Sequence, residues 1–524
     1  MIRRLTTLVL VVSLLTAAVP ATAGASLLGS DSDSSDGPNV IEYAEGPSFV
    51  VELKSSEAAA DLEEWTNASG RHLVEVDNET GVAVVSGPRG LIDADASFWV
   101  QLTTGGLFGD PLEASSFVAD ISPNYRLEVD PLTSTALTNV SRFSAPESEA
   151  SGWLSSEAMP HEGMAFSSEA NRTTMSESRS ILGADNVSAT GAGVTVAVAD
   201  TGIKTANGRT FGEDGMVGSE LRVDDASKNL LTNETVAADG IDAVEDGSSS
   251  RHGTWAAAAV AGDPSGTTHD GVAPDANLLV LKALGDDGSG STADITRAIR
   301  YASQEEADVI SMSLGSPVQS PAIDRAIVDA REAGSVVVVA AGNSRQSTRW
   351  LASPADSEEA IAVGATNGEA PADAESAYFS QIGPDPGTLD NSGAETAGAT
   401  VDLAAPGMAT VTRIPTADGV VENKSLSGTS MATPMVAGGI AVALEANDWS
   451  ADEATEKARE AARPVPNAGT TEVGAGMFAV DYLVDGTEPE ATQEDARTDG
   501  AVTRDETYRS LSDSSGGIIT GLLG

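Results

Sequence analysis

From Ile181 onward the chain repeats one pattern, a short apolar β-rich run followed by a helical stretch. The run Gly193-Val194-Thr195-Val196-Ala197-Val198-Ala199 has counterparts at 278–281, 309–314, 336–341 and 361–363. Helical stretches at 254–261, 293–302 and 322–332 lie between them. Strands that lack polar alternation are buried on both faces, and strand–helix alternation builds a parallel sheet. The expected fold class is therefore α/β, a doubly wound parallel sheet with helices on both faces. Ligand-contacting residues then belong at the C-terminal ends of its strands.

Several residues that carry chemistry fall at such ends. Asp200 closes the first run in Asp200-Thr201-Gly202, where a carboxylate would sit at the crevice edge; a turn-forming Asp is the plain alternative. The chain has 4 histidines, His72, His161, His252 and His269. Two precede the α/β region, and His269 sits in a loop that reads as surface. His252, in Arg251-His252-Gly253-Thr254, stands at the start of a small-residue helix and is the candidate general base. Asn343 follows the strongest apolar strand, where its carboxamide can donate to an oxyanion or simply turn the loop. In Ser427-Gly428-Thr429-Ser430-Met431-Ala432-Thr433-Pro434 a tight turn leads into an apolar helix, so Ser430 is expected at a helix N-terminus. There the backbone N–H and the positive end of the helix dipole favour an oxygen gaining negative charge. An ordinary helix cap by Thr429 or Ser430 is the competing reading of Gly-Thr-Ser alone.

The whole octamer resembles the serine motif of the subtilisin-like serine proteases. The order Asp200, His252, Asn343, Ser430 resembles that family as well, over roughly 181–484. The resemblance implies that Ser430 attacks the scissile carbonyl, His252 takes and returns its proton, and Asp200 orients the imidazole. Asn343 and the Ser430 N–H would bind the oxyanion. Gly288-Ser289-Gly290 and Ser313-Leu314-Gly315 look like the family's substrate cleft, where an extended peptide adds as a strand. Trp255 and Met435 depart from residues frequent in the family, which touches local packing and not the reaction. Related proteases bind calcium. Here Asp286, Asp287, Asp294 and the acidic loop 224–246 leave structural calcium open, with a solvated surface as the plainer reading. No cofactor is expected for the chemistry.

Charge narrows the partners. With 79 Asp+Glu against 29 Lys+Arg the formal net charge is -50, which repels nucleic acid and anionic membranes. Strong salt screens such self-repulsion, so the composition reads as adaptation to high salt. There is no cysteine, hence no disulfide framework and no thiolate chemistry.

The expected organisation is a signal peptide at 1–23, a propeptide with a small α+β inhibitor-like domain at 24–130, and an acidic connecting arm at 131–180. A subtilisin-like catalytic domain at 181–484 and an acidic disordered tail at 485–524 follow. Arg3-Arg4, a short apolar run and Ala21-Thr22-Ala23 support the signal and permit a twin-arginine route; a signal anchor is the alternative. Runs at 49–53, 56–68, 81–85 and 118–125 carry the small domain, which looks like the family's inhibitory propeptide. The expected function is a secreted endopeptidase acting on proteins or peptides, held inactive by its own propeptide, with no stable membrane insertion after processing. The alternatives are a catalytically silent binding protein on the same fold and an esterase. The latter would carry Gly-x-Ser-x-Gly and place its acid and base after the serine.

Overall fold

Alternate residues of the central strands point to opposite sides, and both sides are dry. Val196, Val198, Leu278 and Val280 enter one core, while Ala197, Ala199, Leu279 and Leu281 enter the other. The computed structural model describes residues 40–43, 46–55, 57–67, 70–88, 92, 112–128, 164–165, 172–204, 223–262, 271–345, 350–383, 399–415, 421–487 and 492–493.

The chain opens with β1 (Gly46–Leu53), α1 (Ala58–Thr66), β2 (His72–Asp77), β3 (Val82–Ser86) and β4 (Val118–Pro123). β1 lies between β3 and β4, and β2 flanks β3, all antiparallel. α1 packs Ala58, Ala59 and Leu62 against Phe49, Val51 and Val85 on one face of this sheet. The other face lays Val50, Val82 and Val84 on Ala293 and Ala322. A short strand β5 (Arg126–Glu128) leaves this α+β unit and pairs elsewhere.

Next come α2 (Met175–Leu182), β6 (Thr195–Asp200), α3 (His252–Ala261), β7 (Asn277–Lys282), β8 (Ser289–Ser291) and α4 (Thr292–Gln304). They are followed by β9 (Val309–Met312), α5 (Pro321–Ala333), β10 (Val336–Ala340), β11 (Ile361–Thr366), β12 (Leu403–Pro406), β13 (Thr410–Pro415), β14 (Val421–Leu426) and α6 (Thr429–Ala446). The parallel core of the large sheet runs β7-β6-β9-β10-β11-β12. This is the expected doubly wound sheet, with α3 and α6 in the core on one face and α4 and α5 on the other. Its chain order reverses between β6 and β9, and such a switch point opens a crevice beyond the strand ends.

Two expectations change. The stretch 173–180, expected within a connecting arm, is folded: Thr173-Thr174 pairs with β13, and Thr174 and Glu177 form a capping box that starts α2. That reciprocal cap satisfies first-turn N–H groups, so a Ser/Glu-rich segment with little apolar periodicity still makes a helix. At the other end, Asp485 ends a helix and Gln493 bonds the backbone of Val465 and Ala468, so the first residues of the expected tail are docked. The expected signal, most of the arm and 494–524 lie outside the described residues, as do His161 and His269. No helix among the described residues is long and apolar enough to cross a membrane.

Candidate active site

Asp200 and Met312 end neighbouring parallel strands, with Ala199 in register with Met312, so Asp200 and Ser313 lie side by side at the switch point. Each holds one of the sequence-predicted residues. The two oxygens of Asp200 lie 2.9 Å from His252 Nδ1, and all of these groups are buried. Ser313 Oγ donates to the carbonyl oxygen of Ser430 at 2.8 Å. Neighbouring strands stand about 4.8 Å apart, so this pairing brings the starts of α3 and α6 to the same rim.

The local chemistry explains both attachments. Pro434 lies within α6 and has no N–H to give the carbonyl four residues back, which is that of Ser430. The Ser313 hydroxyl supplies the missing donor. On the other strand, Gly253 lies so close to Gly202 that a Cβ there would meet its backbone, and the Gly253 N–H donates to Thr201 Oγ1 at 2.9 Å. Trp255, which departs from the family's usual residue, is fully buried and donates Nε1 to the carbonyl of Lys424 at 3.2 Å; Met435 is likewise buried in the core.

With a carboxylate on Nδ1, the imidazole proton is assigned there and Nε2 is left as the acceptor. Nε2 is buried and has no hydrogen-bond partner. Burial opposes the imidazolium, yet the charge of Asp200, its hydrogen bond and the charge of Asp246 together raise the His252 pKa above 6.5. Ser430 is not on that nitrogen here. Its Oγ donates to the carbonyl of Ser313 at 3.2 Å, so the expected hydroxyl–imidazole contact is unmade in this conformation.

Asn343 sits three residues beyond the end of β10, the next strand. Its Oδ1 accepts from the N–H and hydroxyl of Thr429, at 2.8 and 3.1 Å. A Cβ added at Gly428 would lie 3.3 Å from Asn343 Nδ2 and 3.6 Å from Ser430 N, so both nitrogens border one spot that only glycine leaves open. Beside it is a cavity of about 670 Å³ walled by Leu314, Gly315, Ala340, Asn343, Trp350 and Ser430 among others. Ser289 and Gly290 of the expected cleft belong to β8, whose antiparallel partner is β5 of this same chain. Leu127 of that partner is buried in the same apolar cluster as Leu284 and Leu314. Gly288 forms the turn before β8, at φ +81°.

The acidic residues separate into roles that composition did not distinguish. Asp286 is held by Lys282 at 2.9 Å, Asp287 by Arg126 at 2.8 Å, and Asp294 caps α4 and pairs with Arg297. Among the described residues no three acidic or histidine side chains gather to hold a metal. Asp246, expected on a solvated or calcium-binding loop, is instead fully buried. It accepts from Ser248 N and Oγ at 3.0 and 2.5 Å and from Thr254 N and Oγ1 at 3.2 and 2.6 Å. Thr254 Oγ1 in turn accepts the Lys204 N–H at 2.8 Å, tying the loop after β6 to the first turn of α3. Sequence reading missed this strut. Its one signal was an acidic residue six positions before the histidine, lost among many others.

An Asp–His pair, a helix-start serine and two neighbouring nitrogens thus lie at the switch point of this sheet. The family profile described as the subtilase family, peptidase S8, matches residues 191–476, more than half of the chain, and the chain belongs to that family. Subtilisin BL of Lederbergia lenta is 33% identical over 268 residues, covering 51% of this chain and 82% of that protein. Serine protease AprX of Bacillus subtilis is 33% identical over 329 residues, covering 57% and 67%. Among solved structures, fervidolysin of Fervidobacterium pennivorans, described as a keratinolytic enzyme related to subtilisin, superimposes with a TM-score of 0.59 at 19% identity. That match spans 87% of this chain and 62% of fervidolysin, and it carries the fold alone. The protein is a serine endopeptidase of the subtilisin type.

Proposed function

We propose that this chain is a secreted, salt-adapted endopeptidase, made as a precursor, in which Ser430, His252 and Asp200 carry peptide-bond hydrolysis. The observation that supports the assignment is that Asp200, bonded to buried His252, ends one strand beside Ser313, which follows the neighbouring strand and bonds the Ser430 carbonyl. Rotation of Ser430 about Cα–Cβ releases its hydroxyl from Ser313 and turns it to His252 Nε2. The imidazole then takes the proton as Oγ attacks the carbonyl, and returns it to the leaving amine; water repeats the sequence on the acyl-enzyme. Asp200 keeps Nδ1 protonated and offsets the charge on the imidazolium. Asn343 Nδ2 and the Ser430 N–H face the developing oxyanion.

Substrate is proposed to bind as a strand against Ser289–Ser291, with Ser313, Leu314 and Gly315 opposite. That β5 occupies this edge in antiparallel register supports the reading of 24–130 as a propeptide that blocks the cleft. The A-x-A segment and the charge of -50 support export and tolerance of strong salt. Peptide hydrolysis in strong salt, with Ser430→Ala as control, tests the assignment. The variant is expected to lose turnover by several orders of magnitude, and hydrolysis unchanged in that variant would remove Ser430 from the mechanism.

A further inference from the structure

The small α+β unit meets the protease through charge of one sense. Glu52 pairs with Arg300 and Arg325, Asp120 with Arg325, Glu75 with Arg297, and Glu79 with Lys228. Every acid in this set comes from 46–123 and every base from the protease side. The chain has only 29 Lys and Arg against 79 acids, yet four of those bases meet on one face, along α4, α5 and the strand at 228–229. One pair has the opposite sense, Arg126 of β5 with Asp287 beside the cleft, and both its partners are more than half exposed. The apolar part of the contact is small: Val50, Val82 and Val84, with partly buried Val74 at their side, on two alanines. Glu75 and Glu79 are nearly half exposed, while Glu52, between two guanidinium groups, is 5% exposed.

We infer that the face formed by Lys228, Arg297, Arg300 and Arg325 is a cationic docking surface whose hold on the acidic small unit is released by strong salt. This rests on the reading of that unit as a blocking propeptide. Two acidic bodies repel at long range, but about 0.1 M salt, with a screening length near 10 Å, already removes most of that repulsion. The half-exposed pairs of Glu75 and Glu79 weaken as the screening length falls to about 3 Å, near 1 M, while the buried Glu52 pairs are screened much less and hold longest. Above that point the attraction fades while no repulsion remains to be screened, so added salt loosens the unit. Once it loosens, β5 keeps only its pairing with β8, buried Leu127 and the bonds of Asn124 and Tyr125 to Thr292 and Ala293, and without the docked sheet behind them the cleft edge opens more often.

The test uses the full chain carrying Ser430→Ala, which cannot process itself, and follows hydrogen–deuterium exchange in sodium chloride from about 0.2 to 3 M. Amides of β5 and β8 should exchange about tenfold or more faster across that range, while β10 stays protected and reports an intact fold. Adding Glu52→Gln, Glu75→Gln and Glu79→Gln should give fast exchange already at low salt and flatten the dependence. Arg297→Gln on the opposite side should move it in the same direction. Protection of β8 that is constant or rises with salt, or a neutralised variant that keeps the parent's dependence, overturns the inference. If β8 opens with salt but the chain retaining Ser430 then hydrolyses no peptide, the docking surface stands and the blocking role of 24–130 falls.

Discussion

Asp246 and Asp200 act on one imidazole from two directions, and the pH profile should register both. His252 must be neutral to accept a proton, and its pKa lies above 6.5, so activity should fall as pH drops through a value above 6.5. The charged groups around it are Asp200 and Asp246, with Arg251 donating to the Asp246 backbone, Lys204 paired with Glu245 and Lys282 with Asp286. Asp246→Asn removes one source of the upward shift, so the acid limb of kcat/KM should move to lower pH with turnover largely kept. Asp200→Asn should move it the same way but lose turnover by about ten-thousandfold, since the imidazole tautomer is then no longer held. An acid limb unmoved in Asp246→Asn would leave that residue a purely structural cap. Asn343→Ala should lower kcat with little change in KM; the benchmark of about a hundredfold or more per lost donor was established in this same protease family, and the geometry here supplies only the donor's position. At this scale the sequence disclosed residues whose neighbours are diagnostic: Ser430 inside its octamer and His252 before Gly253. It did not disclose Asp246 or the Ser313 hydroxyl, because their importance comes from burial and from a carbonyl orphaned by Pro434, neither visible along the chain.

Among the elements, α6 is the most constrained. It is buried along nearly its whole length and packs against β9, β10, β11 and β12. A Cβ at Gly439 would run into the ring of Phe478 and lie 2.8 Å from Val480 Cγ2. Alanine gains about 1 kcal/mol in helix propensity, but overpacking against a fully buried ring costs about 1–3 kcal/mol, so the clash should win. Gly439→Ala is therefore expected to lower the thermal midpoint by several degrees in calorimetry. An unchanged or higher midpoint would show that Phe478 can move. The strands at 195–200, 277–282, 309–312 and 336–340 were legible because buried parallel strands are apolar throughout. β2 was not, since its residues are only half-buried and mix Glu, Asp and His with Leu and Val. α2 escaped for a related reason: its stability comes from a reciprocal cap and a left-handed Gly183 at its end more than from an apolar stripe.

Across the whole molecule, one arrangement accounts for both parts of the chain. A crevice at the point where strand order reverses gathers the reactive groups, and a segment that precedes the protease in sequence lies along the crevice edge as an added strand. The α/β architecture followed from the apolar runs, but the docking of the small unit could not, because charge pairs between 46–123 and 228–325 have no signature in local sequence. All of the proposed chemistry depends on His252 making Ser430 reactive. A serine-directed fluorophosphonate, applied to a peptide-hydrolysing preparation and followed by mass spectrometry to locate the adduct, puts that dependence to the test. A single adduct on Ser430 is expected, formed more slowly below the His252 pKa and abolished by His252→Ala. A Ser430 left unmodified in active enzyme, or labelling indifferent to the loss of His252, would contradict it.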